Sequence, residues 1–170
     1  MNRAWVGIGG NLGDPVARVE AAVDALGILA EGPLVRSSLY RTPPWGVTDQ
    51  PDFVNAVATF ETRLDAESLL EALLVIEREL GRERDAAVRW GPRVIDLDLL
   101  LLGDSCIDTP RLRLPHPLIA ERAFVLVPMN ELDPDLEVPG QGRVAALLGR
   151  VDARGVTRIE AEDARAEVRR

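Results

Sequence analysis

The sequence predicts an α+β domain in the order strand, helix, strand, strand, helix, strand, and three observations carry that prediction. Two stretches of three- and four-residue apolar spacing, each opened by an aspartate, read as helices. Four apolar or alternating stretches around them read as strands. A proline-rich loop follows the second strand, and an arginine-rich loop separates the second helix from the last strand.

Residues 4–9 form the first strand and run into the turn-rich Gly9-Gly10-Asn11-Leu12-Gly13. Asp14 offers an N-cap acceptor and Pro15 a backbone angle preset for the first helical turn. Val16, Val19, Val23 and Leu26 then carry a helix to about Leu29, and Gly32-Pro33 stops it. Residues 35–41 are the second strand, with Ser38, Tyr40 and Thr42 alternating against Leu39. Between Thr42 and Asp52 the chain holds Pro43, Pro44 and Pro51, which bars it from a helix or a central strand.

The third strand, residues 53–62, alternates: Phe53, Asn55, Val57 and Thr59 share one face, Val54, Ala56, Ala58 and Phe60 the other. Asp65 caps a second helix through Leu69, Leu73, Ile76 and Leu80, ended by Gly81. Residues 82–92 are a charged loop, and residues 94–102 the most apolar strand. This βαββαβ series suits a ferredoxin-like core, a mainly antiparallel sheet with both helices packed on one face. From Asp104 onward the chain is loop-rich, with short helices expected around residues 118–123 and near residues 144–150. Residues 1–160 are read as one domain and residues 161–170 as a charged tail expected to fray.

Composition excludes several chemistries. Cys106 and His116 are single, so neither a Cys/His zinc site nor an internal disulfide can be assembled. All 20 basic residues are arginine, which removes both the Walker-type phosphate loop and Schiff-base catalysis. A net charge of −8 argues against broad nucleic-acid binding. No apolar run approaches a membrane span or a secretion signal, so a cytoplasmic protein is expected. Gly7 and Gly9 begin a GxGxxG spacing, but Leu12 stands at its third glycine, so it is not a dinucleotide fingerprint.

The sharpest local feature is Asp96-Leu97-Asp98 inside an apolar strand. Residues two apart on a strand face the same way, about 6–7 Å apart. Both carboxylates therefore share a face, with Ile95, Leu97, Leu99 and Leu101 expected on the other. Like charges so placed need compensation, either by magnesium with water and phosphate oxygens or by arginines on a solvated face. Arg82, Arg84, Arg89 and Arg93 lie just upstream, joined to the aspartates by Trp90-Gly91-Pro92. Guanidinium groups bind phosphate in two-pronged fashion, so the combination suits phosphoryl transfer. His116, between Pro115 and Pro117 and flanked by Arg111, Arg113 and Arg122, reads as either a structural hydrogen-bonder or part of the same anion site. Asn55 could read a heterocycle edge, with Trp45, Phe53, Trp90 and Phe124 as stacking walls or as ordinary core.

Arg89-Trp90-Gly91-Pro92-Arg93-Val94-Ile95-Asp96-Leu97-Asp98-Leu99-Leu100 resembles the signature of the 6-hydroxymethyl-7,8-dihydropterin pyrophosphokinases of folate synthesis. The likeness continues, in the family's order and spacing, through Gly9-Gly10-Asn11-Leu12, Tyr40-Arg41-Thr42-Pro43-Pro44, Gln50-Pro51-Asp52-Phe53-Val54-Asn55-Ala56, Pro115-His116-Pro117 and Glu121-Arg122-Ala123-Phe124. The resemblance implies transfer of diphosphate from ATP to the pterin's hydroxymethyl oxygen, with Asp96 and Asp98 holding two magnesium ions. It implies catalytic positions at Arg82, Arg84, Arg93 and His116, and nucleotide positions at Glu77, Leu99, Arg111, Leu112 and Arg122. It implies pterin contacts at Thr42, Pro43, Trp45, Phe53, Asn55, Trp90 and Phe124. A monomer with no nucleic-acid or membrane partner is expected. Three departures from the family pattern stand out: Asp85 without a lysine in the arginine loop, Gly10 where serine is common, and Leu74 where a relative has a polar residue near the adenine. Two rival readings are a ligand-binding regulatory domain, which would leave ATP intact, and a metal-dependent phosphohydrolase, which would need no pterin.

Overall fold

A computed structural model describes residues 1–44, 48–81 and 94–160. The chain runs β1 (Asn2–Gly10), α1 (Pro15–Gly27), β2 (Val35–Arg36), β3 (Tyr40–Thr42), β4 (Phe53–Thr62), α2 (Ala66–Glu79) and β5 (Asp96–Leu102). Both helices open as their aspartates dictate. Asp14 Oδ1 accepts the Ala17 N–H at 3.1 Å, and Asp65 Oδ1 accepts the Ser68 N–H at 2.8 Å. Gly81 closes α2 with φ +94°, an angle that glycine adopts freely. The first helix ends at Gly27, two residues short of Leu29, and finishes in tighter turns from Leu29 N–H to Leu26 O and Ala30 N–H to Gly27 O.

The core sheet has the order β3-β4-β1-β5 with antiparallel neighbours, which is the ferredoxin-like arrangement. Its first face buries Val6, Ile8, Val54, Ala56, Ala58 and Phe60 against Val19 and Leu26 of α1 and Leu69 and Leu73 of α2. Phe60 is fully buried there, and each such side chain contributes about 1.5–3 kcal/mol of transfer free energy.

Three features depart from the sequence expectation. The second strand is not continuous. Val35 pairs with Thr59 and Arg36 with Ala58, but Tyr40 pairs with Asn55, so four steps on one side oppose three on the other. Ser37 fills the gap: its N–H donates to Val57 O at 2.8 Å, and its hydroxyl accepts the Val57 N–H at 3.0 Å. The last strand begins at Asp96 instead of Val94, and Leu101 lies on the opposite face from the one expected. Trp5 pairs with Leu101 and Val6 with Leu99, so Leu100 is an extra residue and the alternation flips beyond it. Leu97 and Leu99 therefore face the helices, whereas Leu100 and Leu101 face the other way.

The third departure covers that second face. After a ribbon of β6 (Ile107–Asp108) and β7 (Arg113–Leu114), residues 119–121 make a single 3₁₀ turn where a short helix was expected. A ten-residue helix follows, α3 (Ala123–Leu132), which the sequence pattern did not announce. It is apolar almost all round and carries Pro128 inside, so neither periodicity nor propensity marks it. It docks with a second ribbon of β8 (Glu137–Val138) and β9 (Gly142–Arg143), followed by α4 (Val144–Leu148). Together they bury Trp5, Val57, Leu100 and Leu101 beneath Leu126, Met129 and Leu147. Glu131 of α3 ties the helix to the β2–β3 junction, accepting the Ser38 N–H at 2.8 and 2.9 Å and the Tyr40 hydroxyl at 2.9 Å. A final strand, β10 (Thr157–Arg158), adds to the edge of β3. The charged tail, residues 161–170, lies outside the described residues.

Candidate active site

The second face of the sheet is covered only in part. Beyond Trp5 and Val57 it presents Gly7, Gly9, Asn55, Asp96 and Asp98, and here a pocket opens against α3. The register sets Asp98 opposite Gly7 and Asp96 opposite Gly9. Two glycines beside two aspartates remove the side chains that would otherwise fill this floor. Gly9 is held to glycine by its neighbour, since a Cβ there would lie 2.5 Å from Asn55 Oδ1.

Asn55, 8% exposed, donates from Nδ2 to Thr42 Oγ1 at 2.7 Å. The hydrogen bond fixes the carboxamide across the pocket floor. Pro43, Phe53, Arg122 and Phe124 also line this pocket. The proline loop is anchored by Asn11, whose Nδ2 donates to Gln50 Oε1 and to Pro51 O, both at 2.9 Å.

A second cleft, of about 470 Å³, adjoins the first. It is lined by α2 residues Leu70, Leu74 and Glu77 and by the Thr109–Pro117 segment that carries Arg111, Leu112 and His116, with Leu99 on its sheet side. Asp96 and Asp98 line both the pocket and the cleft. They stand where two ligands would meet.

Charge in the site is balanced locally. Arg122 Nη1 lies 3.5 Å from Asp98 Oδ2, and its guanidinium sits 5.5 Å from the Phe124 ring centre. Arg111 pairs with Glu71 and, at 3.8 Å, with Glu67 on the exposed side of α2. Arg113 also lines the cleft and pairs with Asp108 at 3.2 Å.

His116 Nδ1 accepts the Leu118 N–H at 3.1 Å, which leaves the ring proton on Nε2. Burial, reinforced by the Arg122 charge and opposed by Asp96, pushes its pKa down to about 4. The imidazole is therefore a neutral donor at pH 7.

Among the described residues, no group of three or more His, Cys, Asp and Glu gathers to enclose a metal. Two carboxylates facing one open cleft fit a magnesium ion that takes one or two protein ligands and completes its shell from water and phosphate oxygens.

Of the residues singled out from sequence, Thr42, Pro43, Phe53, Asn55, Asp96, Asp98, Arg122 and Phe124 converge on the pocket, and Glu77, Leu99, Arg111, Leu112 and His116 on the cleft. Trp45, Arg82, Arg84, Trp90 and Arg93 lie outside the described residues. Sequence reasoning missed the role of Gly7 and Gly9. Two glycines at alternate positions of one strand were the available signal.

Residues 5–134 match the family model described as 7,8-dihydro-6-hydroxymethylpterin-pyrophosphokinase (HPPK), well over half the chain. The chain belongs to the HPPK family. The 2-amino-4-hydroxy-6-hydroxymethyldihydropteridine pyrophosphokinase of Methylorubrum extorquens is 46% identical over 161 residues, covering 94% of this chain and 100% of its own. The protein of the same name from Pseudomonas aeruginosa is 45% identical over 160 residues, covering 94% of this chain and 98% of its own.

Among solved structures, an HPPK-DHPS in complex with substrates aligns with TM-score 0.72 at 12% identity, over 92% of this chain and 46% of that one. The Plasmodium falciparum HPPK-DHPS with SDX-DHP gives 0.69 at 15%, over 94% and 47%. At such identities the likeness is one of fold, and this chain spans about half the length of those structures. HPPK membership makes the chain a pyrophosphokinase, a diphosphotransferase of folate biosynthesis. Among the described residues, no helix is long and apolar enough to cross a membrane.

Proposed function

We propose that the chain transfers the terminal diphosphate of ATP to the hydroxymethyl oxygen of 6-hydroxymethyl-7,8-dihydropterin, in a magnesium-dependent reaction that releases AMP. The observation that carries this reading is the position of Asp96 and Asp98 on the lip shared by an aromatic-walled pocket and a nucleotide-sized cleft. Phe53 and Phe124 would offer their rings to a flat heterocycle, with the Asn55 carboxamide at its polar edge. The names borne by the relatives support the same pterin.

In the reaction, the pterin oxygen forms a bond to the β-phosphorus and gives up its proton to water, while the bond from that phosphorus to the α-phosphate oxygen breaks and AMP leaves with that oxygen. Asp96 and Asp98 would hold two magnesium ions, which when bound supply charge neutralisation and a more acidic hydroxyl. Arg122 and the neutral Nε2–H of His116 offer hydrogen bonds to phosphate oxygens from fixed positions, a preorganised arrangement that needs no rearrangement as charge moves. Arg82, Arg84 and Arg93, which precede β5 in the sequence, would add positive charge. Pocket and cleft align the two substrates, and alignment supplies a large share of the barrier reduction in such transfers. The chain is proposed to act as a monomer.

The test is nucleotide product analysis with ATP, Mg²⁺ and the reduced hydroxymethylpterin, beside a control without pterin. AMP formed only with pterin is expected. ADP would replace diphosphoryl transfer with single phosphoryl transfer, and pterin-independent turnover would favour a hydrolase. Unchanged ATP with folded protein would leave a ligand-binding module.

A further inference from the structure

Glu77 is a carboxylate buried to 3% exposure on α2, and its Oε1 accepts the N–H of Leu97 at 2.8 Å. Leu97 stands between the two aspartates on β5, which among the described residues is the last strand of the sheet on that side. In an antiparallel ladder, successive residues turn their backbone groups alternately inward and outward. Leu97 turns its N–H outward to Glu77, so Asp96 and Asp98 turn theirs inward toward β1. The strand between the carboxylates is thereby held from both edges. Just beyond, at Leu100, the same strand bulges, so regular spacing is not guaranteed by the ladder alone.

We propose that Glu77 is a positioning residue that fixes the spacing of Asp96 and Asp98 through the Leu97 backbone. The proposal rests on the reading of the two aspartates as metal ligands. Outer-shell groups of this kind change metal affinity by about 10–100-fold when altered.

Two substitutions separate reach from charge. Glu77→Gln keeps an acceptor at the same length and loses the charge, whereas Glu77→Asp keeps the charge and withdraws the acceptor by one methylene. Mn²⁺ binding would be followed by electron paramagnetic resonance in the presence of α,β-methylene ATP. Binding of the same analogue in EDTA, and thermal melting, would be measured alongside.

Glu77→Asp is expected to weaken Mn²⁺ binding about tenfold or more. Glu77→Gln should stay near wild type, and analogue affinity in EDTA should be unchanged in both. Wild-type Mn²⁺ affinity in a folded Glu77→Asp protein overturns the positioning role, as does loss in Glu77→Gln with retention in Glu77→Asp. An equal loss of analogue binding in EDTA would make Glu77 a direct nucleotide contact and overturn it too. No Mn²⁺ binding by the wild-type protein would instead remove the metal reading itself, and this proposal with it.

Discussion

Arg122 Nη1 stands 3.5 Å from Asp98 Oδ2, and the arginine is the more buried of the two, 11% exposed against 32%. A guanidinium so placed needs a nearby negative charge, and its partner is also a proposed metal ligand. Removing the Asp98 carboxylate therefore costs twice, once in chemistry and once in an ion pair with a largely buried cation. Asp98→Asn is expected to lower turnover by at least about a hundredfold. Its melting temperature should fall by a few degrees, and Asp96→Asn should lower turnover as strongly. Steady-state kinetics and thermal melts of both variants check this. Near-normal turnover in either would remove that carboxylate from the chemistry.

Gly9 gives a sharper test of the pocket. A methyl group there would press on Asn55 Oδ1, whose amide is already tied to Thr42. Gly9→Ala should displace the Asn55 amide and raise the dissociation constant for the pterin by about tenfold, the loss of roughly one good polar contact. Nucleotide affinity should change little, because Gly9 does not line the cleft. Calorimetric titration with each ligand separates the two, and an equal loss of both would mean that the strand itself had moved.

Glu131 supports the same region from behind. It accepts the Ser38 N–H and the Tyr40 hydroxyl at the junction whose extra residue lets β3 present Thr42 to Asn55. Burial raises the pKa of Tyr40 to about 12, helped by the hydrogen bond and charge of Glu131. Glu131→Ala strands both donors and should cost about 1–3 kcal/mol of stability. Urea unfolding measures it, and a change below about 0.5 kcal/mol, the range of ordinary surface substitutions, would show the clasp to be incidental.

What the sequence made legible follows from where the controlling forces lie. The capped helices and the alternation of residues 53–62 are local, and the structure reproduces them. The Leu101 face was not legible, because the bulge at Leu100 is decided by pairing with β1. Helix α3 escaped because its nearly uniform apolarity carries no period, and only the sheet beneath it explains that composition. In the site, the aspartate pair was plain from its spacing. The Thr42–Asn55 bond was not, since it depends on a register shifted by Ser37. The burial of Glu77 could have been inferred. It lies four residues after Leu73 and beside Ile76, on the apolar face of α2.

His116 gives the last prediction, a pH signature of stability in the metal-free protein. Its folded pKa is about 4 against the 6.5 of a free imidazole, chiefly through burial and secondarily through Arg122, with Asp96 opposing. Between those two pH values the unfolded chain binds a proton at this ring that the folded protein does not. Stability must then rise with pH across that window and level off above it, since the group is neutral in both states from there on. The full shift corresponds to about 3 kcal/mol, reduced to about 1–2 by the water that still reaches the ring. Other carboxylates titrate near the lower end, so the informative quantity is the difference between wild type and His116→Gln. That difference should climb in favour of wild type from pH 4 to 6.5 and stay constant from 7 to 9. A difference flat across the whole range would mean that the imidazole is not held neutral by the fold, and its role as an uncharged donor to phosphate would fall with it.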